Sequence, residues 1–147
     1  MPDRRGPLRN SRFLVEIDGI AISGFERVDL PSNETRQGEY REGNEPPRNR
    51  KLWGTTEYAD LVLERGVDAD GTTLFDWRKE VTDGKVDEAR SAVAVQLLDE
   101  EGQSQARWQF SQAWPKRYEP PTLDANGGGT TATETLVVAY SEMERTQ

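Results

Sequence analysis

Three short stretches of this 147-residue chain carry residue types that could do chemistry. In "LDEEGQ", Asp99 and Glu101 form a carboxylate pair of the kind that divides acid and base roles in glycoside hydrolysis. The same letters spell a hairpin turn, however, and carboxylates exposed there keep ordinary acidity. "DADG", Asp68 to Gly71, has the spaced oxygens of a calcium loop, but its glycine comes fourth rather than sixth as an EF-hand requires. A solvated turn accounts for it. "NGGG", Asn126 to Gly129, has the freedom of a phosphate loop but no lysine followed by Ser or Thr, so it reads as a flexible connection. Asn33-Glu34-Thr35 fits the glycosylation sequon, which matters only in an exported chain.

Cysteine and histidine are both absent. That removes disulfides, thiolate chemistry, histidine triads and most zinc or iron sites. The expectation is therefore no catalytic residue, no cofactor and no metal: not an enzyme. A net charge of −8 opposes general binding to nucleic acid or anionic membrane. No apolar run approaches the roughly 20 residues that span a bilayer, and the arginine-rich opening "MPDRRGPLRNSR" lacks the apolar core of a signal peptide. Residues 1–11 are expected to form a flexible basic tail on one domain spanning 1–147. With 33% hydrophobic and 31% charged residues, burial per residue is thin, and partner copies are expected to cover what a lone domain leaves open.

The elements that would position any site read mostly as strands. Phe13, Val15 and Ile17 alternate against Leu14, Glu16 and Asp18, and Asp18-Gly19 suits a tight turn into Ile20 and Ile22. Tyr58, Leu61, Val62 and Leu63 mark another strand ended by Gly66. Leu74, Trp77 and Val81 fall at helical spacing, with Thr73 and Asp76 as a capping box and Asp83-Gly84 as the stop. Val93, Val95 and Leu97 then pair across "DEEG" with Ala106, Trp108 and Phe110. On the reverse of that pair Gln105, Arg107, Gln109 and Ser111 call for a wet surface or a polar channel. "TATETLVVAYSEM" supplies a final strand after a Pro-Pro and Gly-rich connection. Trp77 and Trp108 belong to apolar stripes, whereas Trp53 and Trp114 beside turns fit core or interface equally. The reading is an antiparallel β-barrel or sandwich of six or more strands carrying one short helix.

One stretch, "EGNEPPRNRKLWG" from Glu42 to Gly54, reads as neither helix nor strand. Together with "RFLVEIDGI", "GFERVDL", "LFDWRKEV", "RWQFSQAWPKRY" and "ETLVVAYSEM", the segment "EYREGNEPPRNRKLWGTTEYADLVLERG" resembles the inner tube proteins of contractile phage tails and extracellular contractile injection systems. The resemblance runs from Arg12 to Met143. It departs at a "KLxG" step with Trp53 where proline is expected, and at Glu57 and Glu64 where lysines are expected.

The resemblance implies hexameric rings whose joined sheets enclose a channel and which stack into a rigid tube driven through a target envelope by a contracting sheath. It implies partners in other copies of the chain, a sheath protein, a baseplate or spike adaptor, a tube terminator and a luminal cargo. Assembly in the cytoplasm into a phage or a released injection particle follows, with no membrane binding of its own. Residues 38–54 become an extended loop toward neighbouring subunits, with Glu39, Tyr40, Arg41, Glu42, Glu45, Arg48, Arg50, Lys51, Leu52 and Trp53 as its contacts. Within Gly38 to Gly54 Glu39, Glu42 and Glu45 oppose Arg41, Arg48, Arg50 and Lys51, a near-neutral balance suited to pairing. Pro46 and Pro47 lower the ordering cost, and Leu52 and Trp53 offer an apolar anchor. Gln105, Arg107 and Gln109 become lumen-facing candidates. Two alternatives are an initiator or adaptor ring between spike and tube, and a secreted monomeric β domain that binds a ligand.

Overall fold

The computed structural model describes residues 8–40, 50–67 and 71–147, leaving aside the side chains of 38–40 and 50–53. In chain order the elements are β1 (Phe13–Ile17), β2 (Ile20–Ile22), β3 (Phe25–Asp29), β4 (Asn33–Tyr40), β5 (Arg50–Tyr58) and β6 (Leu61–Gly66). There follow α1 (Thr73–Thr82), α2 (Val86–Ala89), β7 (Ser91–Leu98), β8 (Ser104–Glu119), β9 (Thr133–Ala139) and β10 (Glu142–Arg145). Asp18 and Gly19 both take positive φ, 54° and 77°, in the turn that joins β1 to β2, as a two-residue hairpin loop demands.

Every strand pairing is antiparallel, and the main path runs β2-β1-β7-β8-β9-β6-β3, with β10 also on β8. The long strand β8 serves two sheets. Its first half pairs with β7 and β10, while Trp114–Glu119 pair with β9. The passage is at Gln112, whose φ of 50° turns the chain while its Oε1 accepts from Arg90 Nη1 and Ser141 Oγ, each at 3.3 Å. β2 and β3 end the path and are not paired with each other, so of the two expected forms, barrel and sandwich, it is the sandwich that occurs: two sheets share a bent strand and face one another with the barrel left open.

Between the sheets lies the core, with Val15, Leu61, Leu63, Val93, Val95, Phe110, Leu136 and Val138 nearly or fully buried. Alternation explains it, because every second residue of a strand points inward, as in β6 and β9, even where the next one, Val62 or Val137, is also apolar. Helix α1 lays Leu74 and Trp77 against this cluster. The indole Nε1 of Trp77 donates to Ala89 O at 2.6 Å, which ties α1 to α2. That second helix is a correction to the single one expected; four residues are too few for a helical period to show. The start of α1 also differs from expectation. Thr72 rather than Thr73 is the N-cap, and its hydroxyl donates to Asp76 Oδ2 at 2.8 Å instead of capping a backbone N–H.

One end of the sandwich gathers Arg12 and Gln147. Arg12 Nη1 donates to the carbonyls of Asp99 and Glu100 at the β7–β8 turn, and Gln147 Nε2 donates to Ser104 O at 2.7 Å. Of the basic tail, Arg9 comes within 3.9 Å of Glu100, and residues 1–7 lie outside the described residues.

Candidate assembly interface

β3 and β6 pair within the sheet, and the same two chains continue past it as β4 and β5, which pair only with each other. Ala59 N donates to Ser32 O at 2.9 Å where the ribbon leaves the body. An eight-residue strand rises about 26 Å at its usual rise per residue, so the ribbon stands well clear of the sheet. Residues 33–37 and 54–58 are all exposed. Among its described side chains, Thr35 and Thr56 share a hydroxyl hydrogen bond of 2.8 Å, and Arg36 Nη2 lies 2.9 Å from Glu57 Oε1. Glu57, one of the acids at an expected lysine position, thus secures the ribbon to its own partner strand.

The register slips between Thr35 and Gln37, so that Gly54 and Thr55 together oppose Arg36. A Cβ at Gly54 would sit 2.9 Å from Arg36 O. The glycine of the "KLxG" step is therefore required by close approach of two backbones.

Within the stretch expected as an extended loop, 38–54, strand pairing reaches Tyr40 and resumes at Arg50. In the register Glu39 is opposite Lys51, Tyr40 opposite Arg50, Gly38 opposite Leu52 and Gln37 opposite Trp53. Arg41, Glu42, Glu45 and Arg48 lie outside the described residues, as do Pro46 and Pro47.

A second candidate surface is the outward face of the sheet β2-β1-β7-β8-β10. Gln105, Arg107 and Gln109 do share this face, opposite buried Ala106 and Phe110. Two residues that the sequence did not single out complete it. Glu16 Oε2 lies 3.5 Å from Arg107 Nη2, and Glu16 Oε1 accepts from Gln96 Nε2 at 2.7 Å. With its amide oxygen turned inward, Gln109 accepts from Arg107 Nε at 3.0 Å. Gln105 Nε2 donates to Asp99 Oδ2 at 3.0 Å. Alternation along β1, which places Glu16 opposite in sense to Val15 and Ile17, is the signal that could have found the acid. Gly19, Ala92, Ala94 and Ser111 leave a shallow dent of about 270 Å³ beside these polar groups.

Asp99 is a turn-former. Its carboxylate accepts from the backbone N–H of Gln103 and of Glu101, each at 2.9 Å. The Gln103 amide above all holds its pKa below the usual carboxylate value, which keeps it ionised. That is opposite to what a general acid needs. The other perturbed acid of note is Tyr118, whose phenol is pushed up to about 12 by burial and by its 2.7 Å hydrogen bond to Glu134 Oε2. Among the described residues no group of three or more acidic or metal-ligating side chains could hold an ion, and no helix is long and apolar enough to cross a membrane. In the "NGGG" loop Asn126 N and Gly127 N donate to Asp124 Oδ1 and O, an Asx-type turn.

Comparison with known proteins places this architecture. No curated protein sequence matches the chain. A chain of the six-fold symmetrised baseplate of the anti-feeding prophage, seen by cryo-EM, is 29% identical and superposes with a TM-score of 0.79, with 96% of each chain covered. The sheath-tube complex of the PVC extracellular contractile injection system in its extended state contains a chain 21% identical at a TM-score of 0.83, covering 97% of this chain and 93% of that one. The sheath/tube terminator of the same system contains one 22% identical at 0.86, covering 99% and 100%. The last two likenesses speak for the fold. The family model described as the T4-like virus tail tube protein gp19 matches residues 9–144, nearly the whole sandwich and the ribbon with it. The chain belongs to the T4-like virus tail tube protein gp19 family.

Proposed function

We propose that the protein is the structural subunit of the rigid inner tube of a contractile tail or injection system, forming hexameric rings that stack into a hollow conduit. Family membership supplies the class, and the ribbon carries the reading from the structure. Two-stranded ribbons with both faces in water are marginal by themselves, so β4 and β5 gain their stability from what they dock on. The ribbon and the segment it carries are the arm that reaches the neighbouring subunit and ring. Its contacts are Glu39, Tyr40, Arg41, Glu42, Glu45, Arg48, Arg50, Lys51, Leu52 and Trp53, where opposed charges set register and the apolar pair anchors.

Sheath, terminator and baseplate proteins are the remaining partners, in keeping with the assemblies from which the similar structures come. Six-fold symmetry in the baseplate that holds the 29% identical relative supports a hexamer here. Assembly proceeds in the cytoplasm before the particle is released, and the protein's work is polymerisation rather than catalysis. Negative-stain electron microscopy of the purified protein, alone and with its sheath partner over a series of salt concentrations, tests this. Stacked rings extending into tubes are expected. Single rings that never elongate would indicate the initiator or adaptor role, and a monomer under every condition would refute the proposal.

A further inference from the structure

The ribbon of β4 and β5 leaves the body through two short links, residues 30–32 and 59–60. A stem of two strands can tilt about such links, and the tilt grows along its length. With a rise of about 26 Å over eight residues, a swing of about 5° at the root carries the far end about 2 Å. A displacement of that size is enough to break hydrogen bonds at a docking surface.

Two side chains of the body close on this root. Tyr140, just past the end of β9, donates from its phenol to Ala59 O at 2.8 Å, while Ala59 N donates to Ser32 O. Both backbone groups of Ala59 are thus engaged, one by the other link and one by the body. The Tyr140 ring stands edge-on to Phe110 with 5.1 Å between centroids, and Phe110 is fully buried, so the phenol is anchored in the core. Burial above all, with Asp60 and Tyr58 beside it, pushes its pKa up and keeps it a donor.

The second tie comes from further away. Lys116 Nζ lies 2.7 Å from Asp60 Oδ2, although Lys116 is on β8 and β9 intervenes between β8 and β6. An irregularity makes the contact. Pro115 is opposite Val138 and Arg117 opposite Val137, so Lys116 has no residue across from it in β9. It is the extra residue of a bulge, and Lys116 and Arg117 are both exposed although consecutive. Bulges re-aim a side chain out of the regular alternation, and a proline, lacking an N–H, is tolerated beside one. Val138 also faces Leu61, the residue after Asp60, so the bulge sits level with the ribbon root.

Resting on the reading of the ribbon as the assembly arm, we infer that Lys116, Asp60 and Tyr140 are positioning residues for tube assembly: they tie the root to β8 and to the end of β9 and fix the angle at which the arm is presented. Each tie is modest, the ion pair being partly exposed. Their effect falls on the population of arms at the docking angle rather than on the fold. A copy whose arm is aligned about a tenth of the time assembles as though it were about ten times more dilute.

Tyr140→Phe removes the hydroxyl and leaves the ring on Phe110, and Lys116→Met removes the charge and keeps the stem. The chain has no cysteine, so Glu34→Cys on the ribbon and Glu80→Cys on α1, both exposed, carry nitroxide labels for pulsed spin-resonance distances in the unassembled full chain. One narrow distance is expected in the parent and a broadened distribution in the Tyr140→Phe, Lys116→Met double variant. The concentration at which tubes form should rise about tenfold, with the thermal midpoint of the unassembled domain little changed. Exchanging the pair, Asp60→Lys with Lys116→Asp, should restore the narrow distance and the assembly that Lys116→Asp alone loses, a rescue that a general loss of stability does not produce. Should Tyr140→Phe fail to fold, Lys116→Met and the exchanged pair decide alone. Equal distributions in parent and variant overturn the inference, as does broadening with tubes at the parental concentration, and both leave the tube reading intact. Absence of tubes from the unmodified protein overturns both.

Discussion

Replacing Gly54 with alanine separates assembly from folding. The new Cβ would lie 2.9 Å from Arg36 O, about half an ångström inside ordinary contact, and both atoms belong to backbones held by the ladder. Neither can swing aside as a side chain would. Overpacking of this kind costs about 1–3 kcal/mol. Among the described side chains one hydroxyl hydrogen bond, Thr35 to Thr56, and one exposed ion pair, Arg36 to Glu57, add at most about 1 kcal/mol each to the backbone ladder that holds the ribbon. The strain shifts the ribbon toward opening, and each 1.4 kcal/mol shifts the open fraction about tenfold. The core lies elsewhere, so the thermal midpoint of the unassembled domain should hardly move. Amide exchange in 33–40 and 50–58 should accelerate by one to two orders of magnitude, an estimate that follows from about 1–3 kcal/mol. Tube yield by electron microscopy should collapse in parallel. Gly71→Ala is the control, because its Cβ would find nothing closer than Thr73 Oγ1 at 4.0 Å. Unchanged ribbon protection and normal tubes from Gly54→Ala would refute the argument.

Gln112→Val should lower the domain's stability by about 1–3 kcal/mol in urea melts, since a β-branched residue at positive φ is strained and the acceptor shared by Arg90 and Ser141 is lost. Asp99 is more acidic when folded than unfolded, so its support of the β7–β8 turn is complete above the ordinary carboxyl range and is lost as pH falls through its depressed folded value. Exchange at the Glu101 and Gln103 amides should rise over that acid window in the native protein, and Asp99→Asn should abolish the dependence. Because folded copies bind one another, the thermal midpoint should climb with protein concentration under conditions where rings form. A concentration-independent midpoint would mean that rings add nothing to stability.

What the sequence disclosed followed from local rules. The Asp18-Gly19 turn, the α1 stripe of Leu74 and Trp77 and the alternation in Ala106, Trp108 and Phe110 are all set by neighbours within a few residues, and all three occur as expected. The partnership of Glu16 with Gln96 joins residues 80 positions apart, and no spacing rule reaches that far. The ribbon escaped for a different reason. Period-two patterning arises when one strand face is buried, and around Asn33–Gln37 neither face is. With that signal missing, "NETRQ" resembles a loop although its backbone is a ladder. The choice between barrel and sandwich was equally hidden, because closing or leaving open a sheet depends on which strands end the path, here β2 and β3, rather than on any one strand's composition.

The ribbon's length adds surface without adding core, since residues 33–37 and 54–58 are all exposed. Single copies thus expose area that their composition, a third hydrophobic, cannot shield by folding tighter, since the apolar residues already fill the space between two sheets. Only other chains can cover the remainder. A ribbon that stands off the body and a ladder left open between β2 and β3 have the same physical root. In this fold the strand-forming potential exceeds what one chain can pair, and a repeating assembly is the state in which the excess is used.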